Sequence, residues 1–327
     1  MGNETEGKNW DVIGHQQIVD ALKRHISTGK VNHAYLFVGP QSVGKKKVAT
    51  EFAKALFCTA MEKPCGNCAE CKKVTTGKHS DFKLVQEIKG KIGIPQVRTM
   101  QHDLSLKSYG GGYQVCIIDG VDHFTLPAAN AILKILEEPV GKVVFVLLAE
   151  NLEGVIPTII SRAVVLNFNL VPRSEIEDGL GSPGQKIIAR ASFGRPGLAV
   201  RYSTKPEELV DRNERQQELL GVIDQDFNQA FQLINSWKVK SEQAQEFVEV
   251  MTSYFRDLAV GKVGCDSLLL DKETTNEVYQ KHLHNFSGRQ IENVLNYLVK
   301  AKELLKHNVN PKLIVENFII MLHHDKA

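Results

Sequence analysis

The chain has 327 residues, 43% of them hydrophobic and 24% charged, with a formal net charge of +2 and a pI near 8.1. That length is too great for one compact core and predicts two or three domains, while so small a net charge demands no nucleic-acid partner. The longest clean apolar run, Val143 to Ala149, is far too short to span a bilayer, and the polar start MGNETEGKNW predicts no secretory signal.

Strand and helix patterns alternate through the first half. Ile18 to Ile26 has amphipathic helical spacing, and Ala34–Val38 reads as a short apolar strand. Gly39-Pro40-Gln41-Ser42-Val43-Gly44-Lys45-Lys46 follows, then a helical pattern at Val48, Phe52, Ala55 and Leu56. Further strands are expected at Phe82–Val85, at Tyr113–Ile118 ending in Asp119, at Val143–Ala149 and at Ala163–Phe168. Helices are expected over Val97–Leu106 and from Thr125, as N-cap, to Glu138 ahead of Pro139. Short, nearly continuous apolar strands separated by helices predict a parallel sheet covered on both faces. Residues 1–168 are therefore expected to form a doubly wound α/β domain.

After Phe168 the strand signals stop. Ser174-x-x-Glu177 and Thr204-x-x-Glu207 read as capping boxes, and Gly179-Leu180-Gly181-Ser182-Pro183-Gly184 as a breaker cluster. Residues 169–206 predict a small helical module, and residues 207–327 an all-α domain. The apolar faces of that domain would be Phe227, Phe231 and Ile234; Phe247, Val248, Met251, Tyr254, Phe255 and Leu258; Ile291, Val294, Leu295, Leu298 and Leu305; and Leu313 to Leu322.

Four of the six cysteines fall in one insertion, Cys58-x6-Cys65-Gly66-Asn67-Cys68-x2-Cys71. Four thiolates can close a tetrahedral shell around zinc, and with no open position the ion would be structural. Clustered cysteines with no disulfide framework point to a reducing compartment, the cytoplasm. A zinc-containing nucleic-acid module would carry interleaved aromatics, which this cluster lacks.

The Gly39–Lys46 stretch fills G-x-x-x-x-G-K in a strand-to-helix setting, where backbone N–H groups can cradle phosphate. In such a loop Lys45 reaches the terminal phosphates and the next residue supplies a hydroxyl to Mg²⁺. Here that residue is Lys46, whose ammonium has no lone pair to offer a cation. The glycines Gly39 and Gly44 would serve a plain strand–helix turn equally well. Val115-Cys116-Ile117-Ile118-Asp119 has the form of a Walker B strand, with Asp119 placed to support Mg²⁺, but Gly120 follows where a catalytic Glu is needed. On its own, Ser161-Arg162 at a helix end would only satisfy carbonyls or a carboxylate.

Together several segments resemble the clamp-loader branch of the AAA+ proteins. They are Trp10-Asp11-x3-Gly14-His15, His33-Ala34-Tyr35-Leu36-Phe37-x-Gly39-Pro40, Ala129-Asn130-Ala131-Ile132-Leu133-Lys134-x-Leu136-Glu137-Glu138-Pro139, Ser161-Arg162-Ala163 and Asn308-Val309-Asn310-Pro311-Lys312-Leu313. The resemblance covers the whole chain and implies a RecA-like AAA+ domain with a four-cysteine insertion, a helical lid and an oligomerising collar. Lys46, Gly120, Glu150 at a sensor position and Gly197 where motors carry arginine all depart from the motor pattern. They resemble instead a non-motor subunit, with ATP binding not expected; the alternative is an ATP-hydrolysing tau/gamma-like motor with a relaxed loop. The resemblance further implies a ring with tau/gamma ATPase subunits and a delta subunit, acting on a sliding clamp and primed DNA. In that ring Arg162, with Ser161, would be an arginine finger in trans; such fingers contribute 10³–10⁵ in rate.

Overall fold

Every residue of Ala34–Val38 (β1) is buried, because the strand lies inside a sheet covered on both faces. Its neighbours are β4 (Val143–Ala149) and β5 (Val164–Asn167); β3 (Gln114–Asp119) and then β2 (Phe82–Gln86) extend the sheet beyond β4. All pairs are parallel, with Tyr35 opposite Val146 on one side and Val164 on the other. Alternate side chains enter opposite layers. Tyr35 and Phe37 pack with Val48 and Phe52 of the helix Lys45–Phe57, whereas Leu36 packs with Val97 and Met100 of Ile94–Ser105 and with Ile132 of Leu126–Glu137. The expected parallel α/β sheet is the one observed, its edge strands β2 and β5 being the less buried.

A computed structural model describes residues 10–324 apart from 89, 106–107, 109–111, 139–140, 182–184, 238, 266–268, 270–276 and 306–308. Leu106, Pro139, Asn308 and the Ser182–Gly184 end of the breaker cluster lie outside the described residues. The chain divides into two compact units, residues 1–204 and 205–327. Within the first, the helices Arg173–Leu180, Gln185–Ala191 and Pro196–Thr204 share a small apolar cluster of Val171, Ile176, Ala189 and Ala199. No described helix is long and apolar enough to cross a membrane.

Neither expected capping box forms. Pro172 is the N-cap of Arg173–Leu180, so Ser174 lies inside the helix, and Glu177 pairs with Arg173 Nε at 2.7 Å. Thr204 ends its own helix, donating its hydroxyl to the Val200 and Arg201 carbonyls, because Pro206 starts the next helix and keeps Lys205 out of the helical conformation. A box does form at Ser287, whose Oγ accepts from Gln290 N at 3.2 Å while Gln290 Oε1 accepts from Ser287 N at 2.8 Å.

The second unit is helical: Pro206–Gly221, Phe227–Ser236, Ser241–Lys262, Glu277–Asn285, Gly288–Leu304 and Pro311–His324. Phe247, Phe255 and Phe318 meet edge-on at its centre, among the residues whose spacing predicted a core. Phe227, Leu313 and Ile320 are exceptions to that spacing and remain exposed. Phe227 begins its helix, where it stacks on Phe231 at the rim.

Candidate functional site

The loop after β1 and the ends of β3 and β4 open at the carboxyl edge of the sheet, where α/β folds place ligands. They frame a cleft of about 400 Å³ lined by residues that include Gly44, Lys45, Lys46, Asp119, Gly120, Glu150 and Gly197. Residues scattered over the first two-thirds of the sequence thus converge on one site. Gly39 lies just beneath; a Cβ there would come within 2.2 Å of the Phe168 carbonyl oxygen. Gly44 starts the helix at φ +112, a conformation that side chains resist.

The loop's carbonyls are bonded from within the protein. Lys45 Nζ donates to Gly39 O and, at 2.8 Å, to Pro40 O. Gly197 N donates to Ser42 O at 2.8 Å, and His15 Nε2 donates to Val43 O at 2.9 Å while its ring packs on Phe168. Burial pushes the Lys45 pKa down, opposed by the charges of Glu150, Asp122 and Asp119. Burial also lowers the His15 pKa, which favours the neutral ring.

Lys46 Nζ lies 3.4 Å from Asp119 Oδ2. In a magnesium-dependent site the metal bridges the loop hydroxyl and the strand aspartate; here an ammonium spans that gap itself. Gly120 has φ +100, so a side chain at the position of a catalytic carboxylate would be strained. Glu150 brings a fourth carboxylate to a cleft that already has Asp119, Asp122 and Glu87, and its backbone N–H donates to Asp122 Oδ2 at 2.9 Å.

Gly197 is where the helix Pro196–Thr204 touches the loop: a Cβ added there would lie 2.7 Å from Ser42 O. Replacing it with arginine, or even alanine, is expected to cost about 1–3 kcal/mol through overpacking against backbone, seen as a lower urea midpoint at unchanged slope.

By sequence alone Asp122 and His123 read as helix-entry and surface residues. Both line the cleft, and His123 Nδ1 sits 2.6 Å from Glu87 Oε2. Burial opposes protonation of that imidazole, but the Glu87 hydrogen bond and the nearby acids outweigh it and raise its pKa. Spacing could not pair residues on two different strand ends.

Arg162 is not among the residues lining the cleft. It follows the short helix Pro157–Ile160, where its Nη1 donates to Thr158 O at 3.0 Å and to Ser161 Oγ at 3.2 Å. Its Nη2 donates to Glu137 Oε1 at 2.7 Å, a partner the sequence did not reveal.

The four cysteines come together elsewhere, with all sulfur atoms of Cys58, Cys65, Cys68 and Cys71 within 4.8 Å of one another. A tetrahedral metal with bonds of about 2.3 Å can gather such a set. Backbone N–H groups of Cys65, Cys68 and Cys71 point at the sulfurs of Cys58, Cys65 and Cys68 at 3.3–3.4 Å. N–H groups of Cys68 and Asn67 bring the Cys65 thiol down to about 6, while burial pushes Cys71 up to about 12. A bound cation would supply the charge needed to ionise Cys71. The donor set fits a metal ion.

A family model described as DNA polymerase III, delta subunit, matches residues 14–172, and one described as its C terminal matches residues 206–324. The chain is 28% identical to DNA polymerase III subunit delta' of Bacillus subtilis over 96% of its own length and 98% of that protein. It is 27% identical to subunit tau of the same organism, over 95% of its own length and 61% of tau. A gamma subunit-related protein of DNA polymerase III from Thermotoga maritima is a structural neighbour, with TM-score 0.48 and 17% identity over 94% of this chain and 99% of that one. Identities of 28% and 27% do not separate the delta' kind from the tau kind.

Proposed function

The chain belongs to the family of DNA polymerase III clamp-loader subunits, and from that premise we propose that it is of the delta-prime kind, bracing the ring without hydrolysing ATP. The observation that carries this reading is the Lys46 ammonium 3.4 Å from Asp119. A cation paired with that aspartate repels Mg²⁺ and offers it no ligand. Gly120, Glu150 and Gly197 support the same reading, since a motor would need each of them to be something else. The loop then serves as a brace, held by Lys45, His15 and Gly197.

In this reading residues 169–206 form a lid and residues 207–327 a collar that joins the ring. The partners are tau/gamma ATPase subunits and a delta subunit, and through them the sliding clamp and primed DNA, in the cytoplasm. Arg162, beside Ser161, acts in trans on ATP held by a tau/gamma neighbour, and the metal held by Cys58, Cys65, Cys68 and Cys71 is structural zinc. The near-equal similarity to tau favours one alternative, a motor subunit with its own ATPase.

Equilibrium binding of Mg-ATP to the isolated chain separates the two. No saturable binding up to millimolar nucleotide and no turnover are expected. Micromolar binding with steady hydrolysis would establish the motor reading.

A further inference from the structure

We infer that Glu137 is the positioning residue for the Arg162 finger, aiming its guanidinium at the neighbour's phosphates; this rests on the finger reading above. Glu137 is the last residue of the helix Leu126–Glu137. A carboxylate is disfavoured at a helix C-terminus, where the macrodipole is negative, unless a cation comes to it. Arg162 brings that cation from the turn after the helix Pro157–Ile160, with Nη2 2.7 Å from Oε1.

Both groups stand on fixed ground. Ile132 and Leu136 beneath Glu137, and Ile159 beneath Arg162, are buried in one apolar cluster. Thr158 O and Ser161 Oγ hold the other guanidinium nitrogen. The side chains are 34% and 50% exposed, a setting in which an ion pair adds little to stability. What it supplies is direction. Arginine loses much rotamer freedom when it is fixed, and fixing it before the nucleotide arrives leaves less to lose in the transition state.

The test uses rings reconstituted from the full chain with tau/gamma ATPase, delta, clamp and primed DNA. Wild type is compared with Glu137→Ala, Glu137→Gln, Arg162→Ala and the Glu137→Ala/Arg162→Ala pair. Glu137→Ala is expected to lower kcat for ATP by at least half, on a logarithmic scale, of the loss caused by Arg162→Ala, with KM within two-fold. Glu137→Gln keeps an acceptor oxygen and is expected to recover most of the rate. The double variant should be no slower than Arg162→Ala.

A wild-type or faster rate for Glu137→Ala beside a slow Arg162→Ala overturns the positioning role and leaves the finger standing. A normal rate for Arg162→Ala removes the finger reading itself. A double variant slower than Arg162→Ala shows Glu137 acting by another route. If Glu137→Ala does not assemble, Glu137→Gln decides. Failure of both to assemble makes Glu137 structural and ends the proposal.

Discussion

Arg162→Ala is expected to leave the ring assembled and to slow its ATP turnover and clamp loading. An arginine finger contributes 10³–10⁵ in rate, roughly 4–7 kcal/mol, at the one site it serves. The DNA- and clamp-stimulated ATPase should therefore fall by at least that site's share, and loading by more if the sites fire in concert. Assembly should survive, because the lost contact with Glu137 is a surface ion pair of about 0–1 kcal/mol. Arg162→Lys keeps the charge but not the planar fork, and should fall between the two. Steady-state ATPase, a clamp-loading assay and size-exclusion chromatography measure the three quantities. An unchanged ATPase in Arg162→Ala would reject the finger.

Removing the metal should unravel the insertion between Cys58 and Cys71 and lower the melting temperature of the first unit. Structural zinc contributes an apparent ~10–16 kcal/mol to modules that fold around it. The sheet has its own core, so the unit is expected to weaken without unfolding outright. Cys58 caps the end of the Lys45–Phe57 helix and Cys71 is fully buried, so the damage reaches the helix that begins at the loop. Trp10 reports it: the indole is 3% exposed and its Nε1 donates to Lys63 O at 3.3 Å, inside the insertion. In a Trp237→Phe background, chelation or Cys65→Ser should red-shift the remaining fluorescence. One zinc per chain is the expected stoichiometry. A metal-free preparation with unchanged melting and fluorescence would exclude a structural metal.

Much of the first unit was legible because its signals are local. The runs at Ala34–Val38 and Val143–Ala149 are strands with those same bounds, since an apolar segment of that length has only a buried sheet to enter. Four cysteines within one short insertion likewise announced a cluster. Capping was less legible, because Ser174 and Thr204 had the right spacing to a Glu while Pro172 and Pro206 determined where the helices start. Phe227, Leu313 and Ile320 fit helical apolar faces but project outward, since periodicity sets a face and not what covers it.

Around the cleft the division is clearer. The sequence by itself determined that Lys46 lacks a hydroxyl, that Gly120 lacks a carboxylate and that Gly197 lacks a guanidinium, because these are properties of single residues. Only the tertiary structure decided what fills the gaps. Parallel order brings the loop after β1 near the end of β3, so Lys46 meets Asp119. The turn before Pro196–Thr204 brings Gly197 onto the Ser42 carbonyl, and the packing of two helices brings Arg162 to Glu137. Each of these contacts joins residues far apart in the chain. No local spacing encodes such pairs, because the free energy that sets them comes from packing the two faces of the sheet.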